Sequence, residues 1–265
     1  MLTKSRLSLL RSLRQKKFRN EHGLFVAEGD KLVPELLQSS FPVESIYATE
    51  DWLKENAKLI RKAGESIVVT KDELSRISSL VTPQRVLAVA GIPQYTLEEK
   101  ELLSQYCLLL DGIRDPGNMG TIIRVADWFG IRDIICSPDS AEVWNPKVVQ
   151  ASMGSLLRVR THIIDPVEFL RRMKIIAEKE KVNAPVSYGT FLEGENIYKT
   201  GFASAGIIVV GNESNGISEE TGALIDRKIT ILPVLTNEKS GRPESLNAAV
   251  ATAIVCAEMR RATSK

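Results

Sequence analysis

Short apolar runs alternate with amphipathic stretches through the later part of the chain, from Cys107 onward. The runs have the length of buried strands, and the stretches between them repeat apolar residues at helical spacing. The pattern predicts strands at Cys107–Asp111, Asp133–Ser137, Arg158–Ile164, Ile207–Gly211 and Ile229–Leu232, and helices at Asn118–Phe129, Asn145–Ser152, Pro166–Lys181 and Ser245–Arg260. This alternation favours an α/β fold with a mostly parallel sheet that helices cover on both faces.

The first part of the chain has the pattern of a smaller α/β unit. Leu7, Leu10 and Leu13 form one apolar stripe and predict a helix over residues 4–16. Further helices are predicted at Gly29–Gln38, at Glu50–Lys62 and from Lys71, with strands at Glu44–Thr49, Ser66–Thr70 and Val86–Ile92. Pro93–Glu101 is polar, so we expect the domain boundary there, between domains of residues 1–95 and 96–265.

The formal net charge of the chain is only +2 over 265 residues, so the protein as a whole is not basic. The charge is unevenly distributed, because residues 1–20 contain seven basic side chains and no acidic one. From this stretch we take Arg6, Arg11, Arg14, Lys16, Lys17 and Arg19 as candidate contacts to a nucleic-acid phosphate backbone. A helix with charges of one sign can lie along a phosphate backbone, although a solvated helix face has the same composition.

No apolar run is long enough to cross a membrane, and residues 1–20 lack the apolar core of a secretion signal. We therefore expect a cytoplasmic protein. Cys107, Cys136 and Cys256 lie in apolar segments without metal-ligand spacing, which predicts buried free thiols and no metal site. His22 and His162 have no partner pattern that indicates a role.

Three turns between a predicted strand and a predicted helix carry polar residues, and ligands bind at such turns in open α/β sheets. The first turn begins at Asp111 and reaches Asn118, after which Arg124 points off the packed helix face. Amides at a helix start can receive an anion or a ligand oxygen. Asn118 can equally be an N-cap, and Arg124 an ordinary surface residue.

The second and third turns follow later strands. Gly211 and Gly216 allow the backbone to approach a ligand closely or to adopt a positive φ, and Glu213 could hold a hydrogen-bond donor. Ser245 is placed to cap the last helix, with Asn247 in its first turn. An ordinary surface turn and a well-capped core helix would explain the same residues. The chain contains neither a dinucleotide-binding glycine motif nor a P-loop, so another mode of cofactor binding is expected.

In their order along the chain, these segments resemble the three sequence motifs of the SpoU (TrmH-type) branch of the SPOUT methyltransferases. The matching residues are Asn118-Met-Gly120 with Arg124, Gly211-Asn212-Glu213 with Gly216-Ile217, and Ile231-Leu-Pro233 leading to Ser245-Leu246-Asn247. The similarity covers roughly Cys107 to Met259. The segment from Phe25 to Gly29 is more loosely similar to the substrate-binding domain that many members carry.

The resemblance implies methylation of a ribose 2'-hydroxyl in RNA with S-adenosylmethionine as cofactor. It also implies a C-terminal trefoil knot, a homodimer formed through the catalytic domain, and ribosomal RNA as the substrate, with transfer RNA as the alternative. The implied catalytic residues are Arg124, Asn118, Glu213, Ser245 and Asn247, and the implied cofactor contacts are Val210, Gly211, Asn212, Ile231, Leu232 and Leu246. Arginine is a poor base, so Arg124 would act with a substrate phosphate or stabilise the developing alkoxide.

The chain departs from the family pattern between Pro233 and Ser245, where it is several residues longer. Asn237, Glu238, Lys239 and Arg242 make this insert polar, which predicts a longer loop beside the cofactor, either a lid or an RNA contact. Two other functions stay open at this point. The chain could be an RNA-binding or ribosome-assembly factor without turnover, or a non-RNA α/β enzyme with a small anionic ligand.

Overall fold

The computed structural model describes residues 2–233 and 245–264. The chain divides into two compact units. The first runs to Gln94 and includes Glu142–Leu157, here called the inserted segment; the second comprises Tyr95–Ala141 and the described residues from Arg158 onward. Among the described residues, no helix has both the length and the apolar character needed to span a membrane.

The first unit is built on a four-stranded mixed sheet with strand order β1-β4-β2-β3. Its strands are β1 (Leu24–Glu28), β2 (Val43–Ala48), β3 (Glu65–Val68) and β4 (Val86–Gly91). Its helices are α1 (Lys4–Ser12), α2 (Lys16–His22), α3 (Leu32–Gln38), α4 (Glu50–Glu55), α5 (Lys71–Ile77) and α7 (Pro146–Ala151), with short 3-10 helices at Ile60–Lys62 and Ser155–Leu157. β4 is antiparallel to both of its neighbours, whereas β2 and β3 are parallel.

Three predictions for the first unit differ from the structure. The helix predicted over residues 4–16 is two helices, because α1 ends at Ser12 and Gln15 is extended before α2 begins. The helix predicted at Glu50–Lys62 ends at Glu55. The sequence did not predict β1 at all. All five of its residues are buried, and a strand that is buried on both faces shows no alternation of apolar and polar residues.

Aromatic packing and a buried ion pair attach the inserted segment to the rest of the first unit. The ring of Trp144 lies 4.7 Å from that of Phe25 and 6.1 Å from that of Phe41, measured between centroids. Arg19, which is 1% exposed, donates hydrogen bonds to both carboxylate oxygens of Glu142. These partners are 123 positions apart in sequence, so no local pattern could have assigned the inserted segment to this unit.

The second unit contains a six-stranded sheet of order β10-β8-β9-β5-β6-β7 in which all neighbouring strands are parallel. Its strands are β5 (Tyr106–Asp111), β6 (Asp133–Cys136), β7 (Arg160–Ile163), β8 (Val186–Asn196), β9 (Gly206–Gly211) and β10 (Arg227–Thr230). Its helices are α6 (Pro116–Trp128), α8 (Pro166–Glu180), α9 (Glu219–Gly222) and α10 (Ala248–Thr263), with 3-10 helices at Glu101–Leu103 and Ile197–Lys199. Leu108 and Leu109 point to opposite faces of β5, and both are fully buried, so helices and loops cover both faces. The predicted α/β fold with a mostly parallel sheet is confirmed.

The sequence did not predict β8. Its first residues, Val186–Gly189, pair with β9, whereas its last residues are largely exposed. Gly189 and Gly194 interrupt the apolar pattern of this segment, and the acidic residues Glu193 and Glu195 lie in its later part. A strand that is buried at one end only carries neither a continuous apolar run nor a clean alternation.

Two helix caps differ from those predicted. Asp115, not Asn118, caps α6: its carboxylate accepts the backbone amide of Asn118 at 2.8 Å, and a proline follows at the first helical position. Asn247, not Ser245, caps α10, because its side-chain oxygen accepts two amides of the first turn at 3.0 and 3.3 Å. The first correction leaves both polar atoms of the Asn118 side chain available for other hydrogen bonds, and the second leaves the Nδ2 group of Asn247 available.

The three cysteines are buried and free, as predicted. Burial raises the pKa of Cys136 and of Cys256 to about 12. Thiolates are the reactive form of cysteine, so these two side chains are inert near neutral pH.

A buried carboxylate at the start of β6 pairs with two basic side chains. Asp133 is 1% exposed and accepts hydrogen bonds from Arg160 Nε and Nη2 at 2.8 and 2.6 Å. His162 Nε2 lies 2.9 Å from Asp133 Oδ1, the oxygen that also accepts Arg160 Nε, so His162 has a structural partner that its sequence context did not indicate. Burial alone would raise the pKa of Asp133, but the hydrogen bonds from His162 and Arg160 outweigh it, and the net pKa is lowered.

Replacing Asp133 with asparagine should lower the free energy of unfolding at pH 7 by about 3 kcal/mol, because Arg160 and His162 lose their buried partner. The folded-state pKa of Asp133 is depressed, so its contribution is present above the unfolded pKa, near 4, and is lost as pH falls through the lower folded value. Urea unfolding of both proteins between pH 3 and pH 7 measures this. If the difference in unfolding free energy between the two proteins stayed constant down to pH 3, Asp133 would not be ionised in the folded protein with a lowered pKa.

Candidate active site

The first two candidate turns follow neighbouring strands of the second sheet. β5 and β9 lie side by side, and their last residues, Asp111 and Gly211, are paired at the carboxyl edge. The strand order reverses at this point, because β6 and β7 lie on one side of β5 and the later strands lie on the other. Ligands of open α/β sheets bind at such switch points.

The loop after β9 folds back tightly on itself. Asn212 and Gly216 exchange two backbone hydrogen bonds of 2.9 Å, and Asn212 Oδ1 accepts the amides of Ser214 and Asn215 at 2.9 and 3.1 Å. Gly216 has a φ of 70°, which glycine adopts without strain. A Cβ atom on Gly211 would overlap the backbone of Gly216 and the next residue. The loop's own fold therefore requires both glycines.

Side chains from all three turns meet in one hydrogen-bonded group, here called the Asn118 cluster. Asn118 Nδ2 donates to Glu213 Oε1 at 2.6 Å, and Asn247 Nδ2 donates to Asn118 Oδ1 at 2.8 Å. Asn118 comes from the first turn of α6, Glu213 from the loop after β9, and Asn247 from the start of α10. The three turns that the sequence analysis singled out are therefore adjacent in space.

Two further contacts, which sequence reasoning missed, fasten these loops to the sheet. Asp111 Oδ2 accepts the backbone amide and the hydroxyl of Ser218 at 2.8 and 2.7 Å. Asn212 Nδ2 donates to the carbonyl oxygen of Gly112 at 2.7 Å. A carboxylate that closes an apolar strand, as Asp111 does, was the available signal, because buried carboxylates need partners.

Arg124 lies outside the Asn118 cluster, on the outer face of α6. Its side chain is exposed, as its position off the packed face predicted. Within residues 2–233 and 245–264 it makes no hydrogen bond and no ion pair. Ser245 is exposed and lies two residues before Asn247. The structure therefore joins three of the five predicted catalytic residues directly and leaves Arg124 free to meet a ligand.

Helices α6 and α10 lie side by side and run in the same direction. Asn118 and Asn247 join their first turns, and at the other end Arg260 Nε donates to the carbonyl oxygen of Phe129 at 2.8 Å. Apolar side chains are exposed on both helices: Trp128 is 84% exposed and Val250 is 48% exposed. An indole this exposed is unusual for a surface that faces only water.

The residues predicted to contact a cofactor form a buried and an exposed group. The buried group is Val210 and Gly211 at the end of β9, with Asn212 half-buried beside them. In the other group Ile231 is half-buried, Leu232 is 54% exposed and Leu246 is 47% exposed. The polar insert predicted between Pro233 and Ser245, with Asn237, Glu238, Lys239 and Arg242, lies outside the described residues.

The six basic residues predicted to contact RNA differ in how they are held within the first unit. Arg6 pairs with Glu65, and Arg11 and Arg14 donate to backbone carbonyl oxygens at 3.3 and 2.6 Å. Lys16 and Lys17 are exposed on α2. Arg19 is wrong as an RNA contact, because its buried guanidinium is occupied by Glu142 and by the carbonyl oxygen of Leu13.

Comparison with known proteins identifies the family to which this chain is similar. Residues 105–257 match the model of the SpoU rRNA Methylase family, and residues 4–88 match the MRM3-like substrate binding domain. A 23S rRNA (guanosine(2553)-2'-O)-methyltransferase of Bacillus subtilis is 30% identical over 254 residues, which span 94% of each chain.

Solved structures of similar proteins match the fold of this chain over nearly its whole length. A TrmH-family protein of Porphyromonas gingivalis is 37% identical, with a TM-score of 0.81 over 98% of this chain and 99% of that one. An AdoMet-bound rRNA methyltransferase of Sinorhizobium meliloti is 27% identical, with a TM-score of 0.81 over 98% and 96% of the two chains. The resemblance first drawn from three turns is thus confirmed, and the chain belongs to the SpoU rRNA methylase family.

Proposed function

We propose that the protein is an S-adenosylmethionine-dependent methyltransferase that modifies a ribose 2'-hydroxyl of ribosomal RNA. The observation that carries this proposal is the Asn118 cluster, in which the three motif turns are hydrogen-bonded at the carboxyl edge of β5 and β9. Family membership and a relative that methylates 23S rRNA support the substrate class. Residues 96–265 would form the catalytic domain and residues 1–95 the RNA-binding domain, with the inserted segment packed in the first unit.

The residues at the end of β9 and before α10 fit the cofactor. Val210, Gly211 and Asn212 would place the cofactor at the carboxyl edge of the sheet, and Ile231, Leu232 and Leu246 offer apolar surface for an adenine ring. When bound, S-adenosylmethionine supplies an electrophilic methyl group. Calorimetry with Leu246→Arg as the control tests the assignment: the wild-type chain should bind S-adenosylmethionine and the variant should not. Equal binding by both would remove Leu246 from the site.

The protein's own part in the reaction is alignment and charge stabilisation. Asn118 would orient the ribose or its phosphate, while Glu213 and Asn247 hold its amide group in place from either side. Such positioning can lower a barrier by up to about 7–11 kcal/mol. Ser245 would hold the cofactor or the geometry of Arg124. Arg124, which has no partner among the described residues, would stabilise the alkoxide that develops as the hydroxyl gives its proton to a substrate phosphate or to water, because a guanidinium stays charged at working pH.

For RNA binding by the first unit we retain Lys16 and Lys17, which are exposed, and assign a weaker contribution to Arg6, Arg11 and Arg14, which already have partners. We also propose a homodimer through the catalytic domain, supported by the exposed Trp128 and Val250 on α6 and α10. Sedimentation equilibrium tests it, and a monomer at micromolar concentration would refute it. A cytoplasmic location is proposed because the three free thiols suit a reducing compartment.

Transfer of labelled methyl groups tests the function. The purified protein is incubated with S-[methyl-³H]adenosylmethionine and unmodified rRNA or tRNA transcripts, and the RNA is then hydrolysed with alkali. A 2'-O-methyl group blocks cleavage of the next phosphodiester bond, so label in alkali-resistant dinucleotides from rRNA is the expected result. Label confined to tRNA would overturn the substrate class. RNA binding without any label would indicate a binding factor instead of an enzyme.

A further inference from the structure

An ion-paired arginine lies at the carboxyl edge of the sheet, beside the Asn118 cluster but not in it. Arg114 follows β5 and directly precedes Asp115, the N-cap of α6, which places it four residues before Asn118. Its side chain is 65% exposed. Nη2 donates to Asp139 Oδ2 at 2.9 Å, and within residues 2–233 and 245–264 this carboxylate is the one partner of the guanidinium.

The carboxylate that holds Arg114 is itself fixed from the sheet. Ser137, which is 2% exposed, donates from its hydroxyl to Asp139 Oδ1 at 2.7 Å and accepts the backbone amide of Gly112 at 2.8 Å. Hydrogen bonds from Ser137 and Arg114 lower the pKa of Asp139, so the carboxylate is ionised at neutral pH. The ends of β5 and β6 together orient the guanidinium.

Stability does not explain this arrangement. An exposed ion pair contributes little to folding, and both Arg114 and Asp139 are more than half exposed. A guanidinium has five N–H donors, and the contact with Asp139 leaves others directed to solvent. Those donors match the oxygens of a phosphate, which arginine binds in a fork.

We infer that Arg114 binds a backbone phosphate of the RNA strand close to the ribose that is methylated. This inference rests on the proposed function. Phosphate contacts fix the position of a nucleic acid on a protein without reading its sequence. Because the sheet fixes Arg114 relative to Asn118, a phosphate held there would place one ribose at the Asn118 cluster, so Arg114 is a substrate-positioning residue for the reaction.

Replacing Arg114 with glutamine should raise the KM for the RNA transcript about tenfold and leave the Kd for S-adenosylmethionine unchanged. The log–log salt dependence of RNA affinity should become shallower by about 0.7 to 0.9, the change expected when one phosphate contact is lost. Filter binding of the rRNA transcript to the full chain, between 50 and 200 mM salt, measures the slope. A merely structural role for Arg114 would not move it.

Two variants serve as controls. Arg114→Lys keeps the charge and should keep the wild-type slope. Arg227→Gln removes the same charge from a half-exposed ion pair at the start of β10, on the amino edge of the same sheet, and should leave both the salt slope and the KM unchanged. If the wild-type protein methylates RNA and the Arg114→Gln variant has the same salt slope and the same KM as the wild type, the role of Arg114 is refuted. If the wild-type protein methylates neither rRNA nor tRNA, the proposed function fails instead.

Discussion

Replacing Arg124 with alanine should lower the rate of methyl transfer at saturating RNA by a factor of about 10² to 10³, the usual loss when one stabilising donor is removed from a developing oxyanion. The Kd for S-adenosylmethionine should stay at the wild-type value. The structure favours this separation because Arg124 is exposed and, in the described part of the chain, has no partner that its loss would leave unsatisfied. Single-turnover methylation and calorimetry measure the two quantities.

The controls for Arg124 separate chemistry from folding. Exposed substitutions of this kind change the free energy of unfolding by less than about 0.5 kcal/mol, so thermal unfolding of Arg124→Ala should match the wild type. Arg132→Ala removes another exposed arginine, just after the same helix, and should keep full activity. Arg124→Lys should recover part of the rate if charge is what matters. Loss of cofactor binding together with activity would refute the assigned role.

Local signals were sufficient to find the candidate site. Each motif turn follows a strand whose apolar run is visible in the sequence, and the carboxyl ends of parallel strands lie at one edge of a sheet. The exposure of Arg124 followed from helical spacing, since Ile122, Ile123 and Ala126 define the buried face of α6. That β5 and β9 are neighbours, which brings Asn118 to Glu213, depends on strand order, and periodicity contains no information about order.

Errors arose where long-range contacts decide the structure. β1 and β8 escaped prediction because one is buried on both faces and the other at one end only. The inserted segment folds with the first unit through Trp144 and the Arg19–Glu142 ion pair, although its strand–helix pattern continues that of the second unit. Arg19 was interpreted as an RNA contact from its charge alone, and its burial against a carboxylate distant in sequence reversed that interpretation.

The predicted knot and the polar insert stay predictions, because both depend on residues 234–244, which lie outside the described residues. The described ends of this stretch still constrain its role. Leu232 and Leu246 are exposed on either side of it. A lid over the cofactor would cover these leucines, whereas an RNA contact would leave them uncovered.

Replacing Gly211 with alanine should abolish S-adenosylmethionine binding and methyl transfer together, in contrast to Arg124→Ala. A Cβ atom at this position would overlap backbone atoms of Gly216 and Ile217, which cannot rotate away as a side chain can. The loop must open, and with it the paired hydrogen bonds between Asn212 and Gly216 are lost. Overpacking of this kind costs about 1–3 kcal/mol of stability.

Opening of the loop after Gly211 should also disturb the Asn118 cluster, because Glu213 belongs to this loop and accepts a hydrogen bond from Asn118. Gly201→Ala is the matched control: its added Cβ meets no atom within 4 Å, so unfolding and binding should be those of the wild type. Calorimetry and thermal unfolding of both variants measure the effects. If Gly211→Ala were to fold with wild-type stability and bind the cofactor normally, the close approach of Gly211 to Gly216 would not be what fixes this loop, and the conformation of the second motif would need another cause.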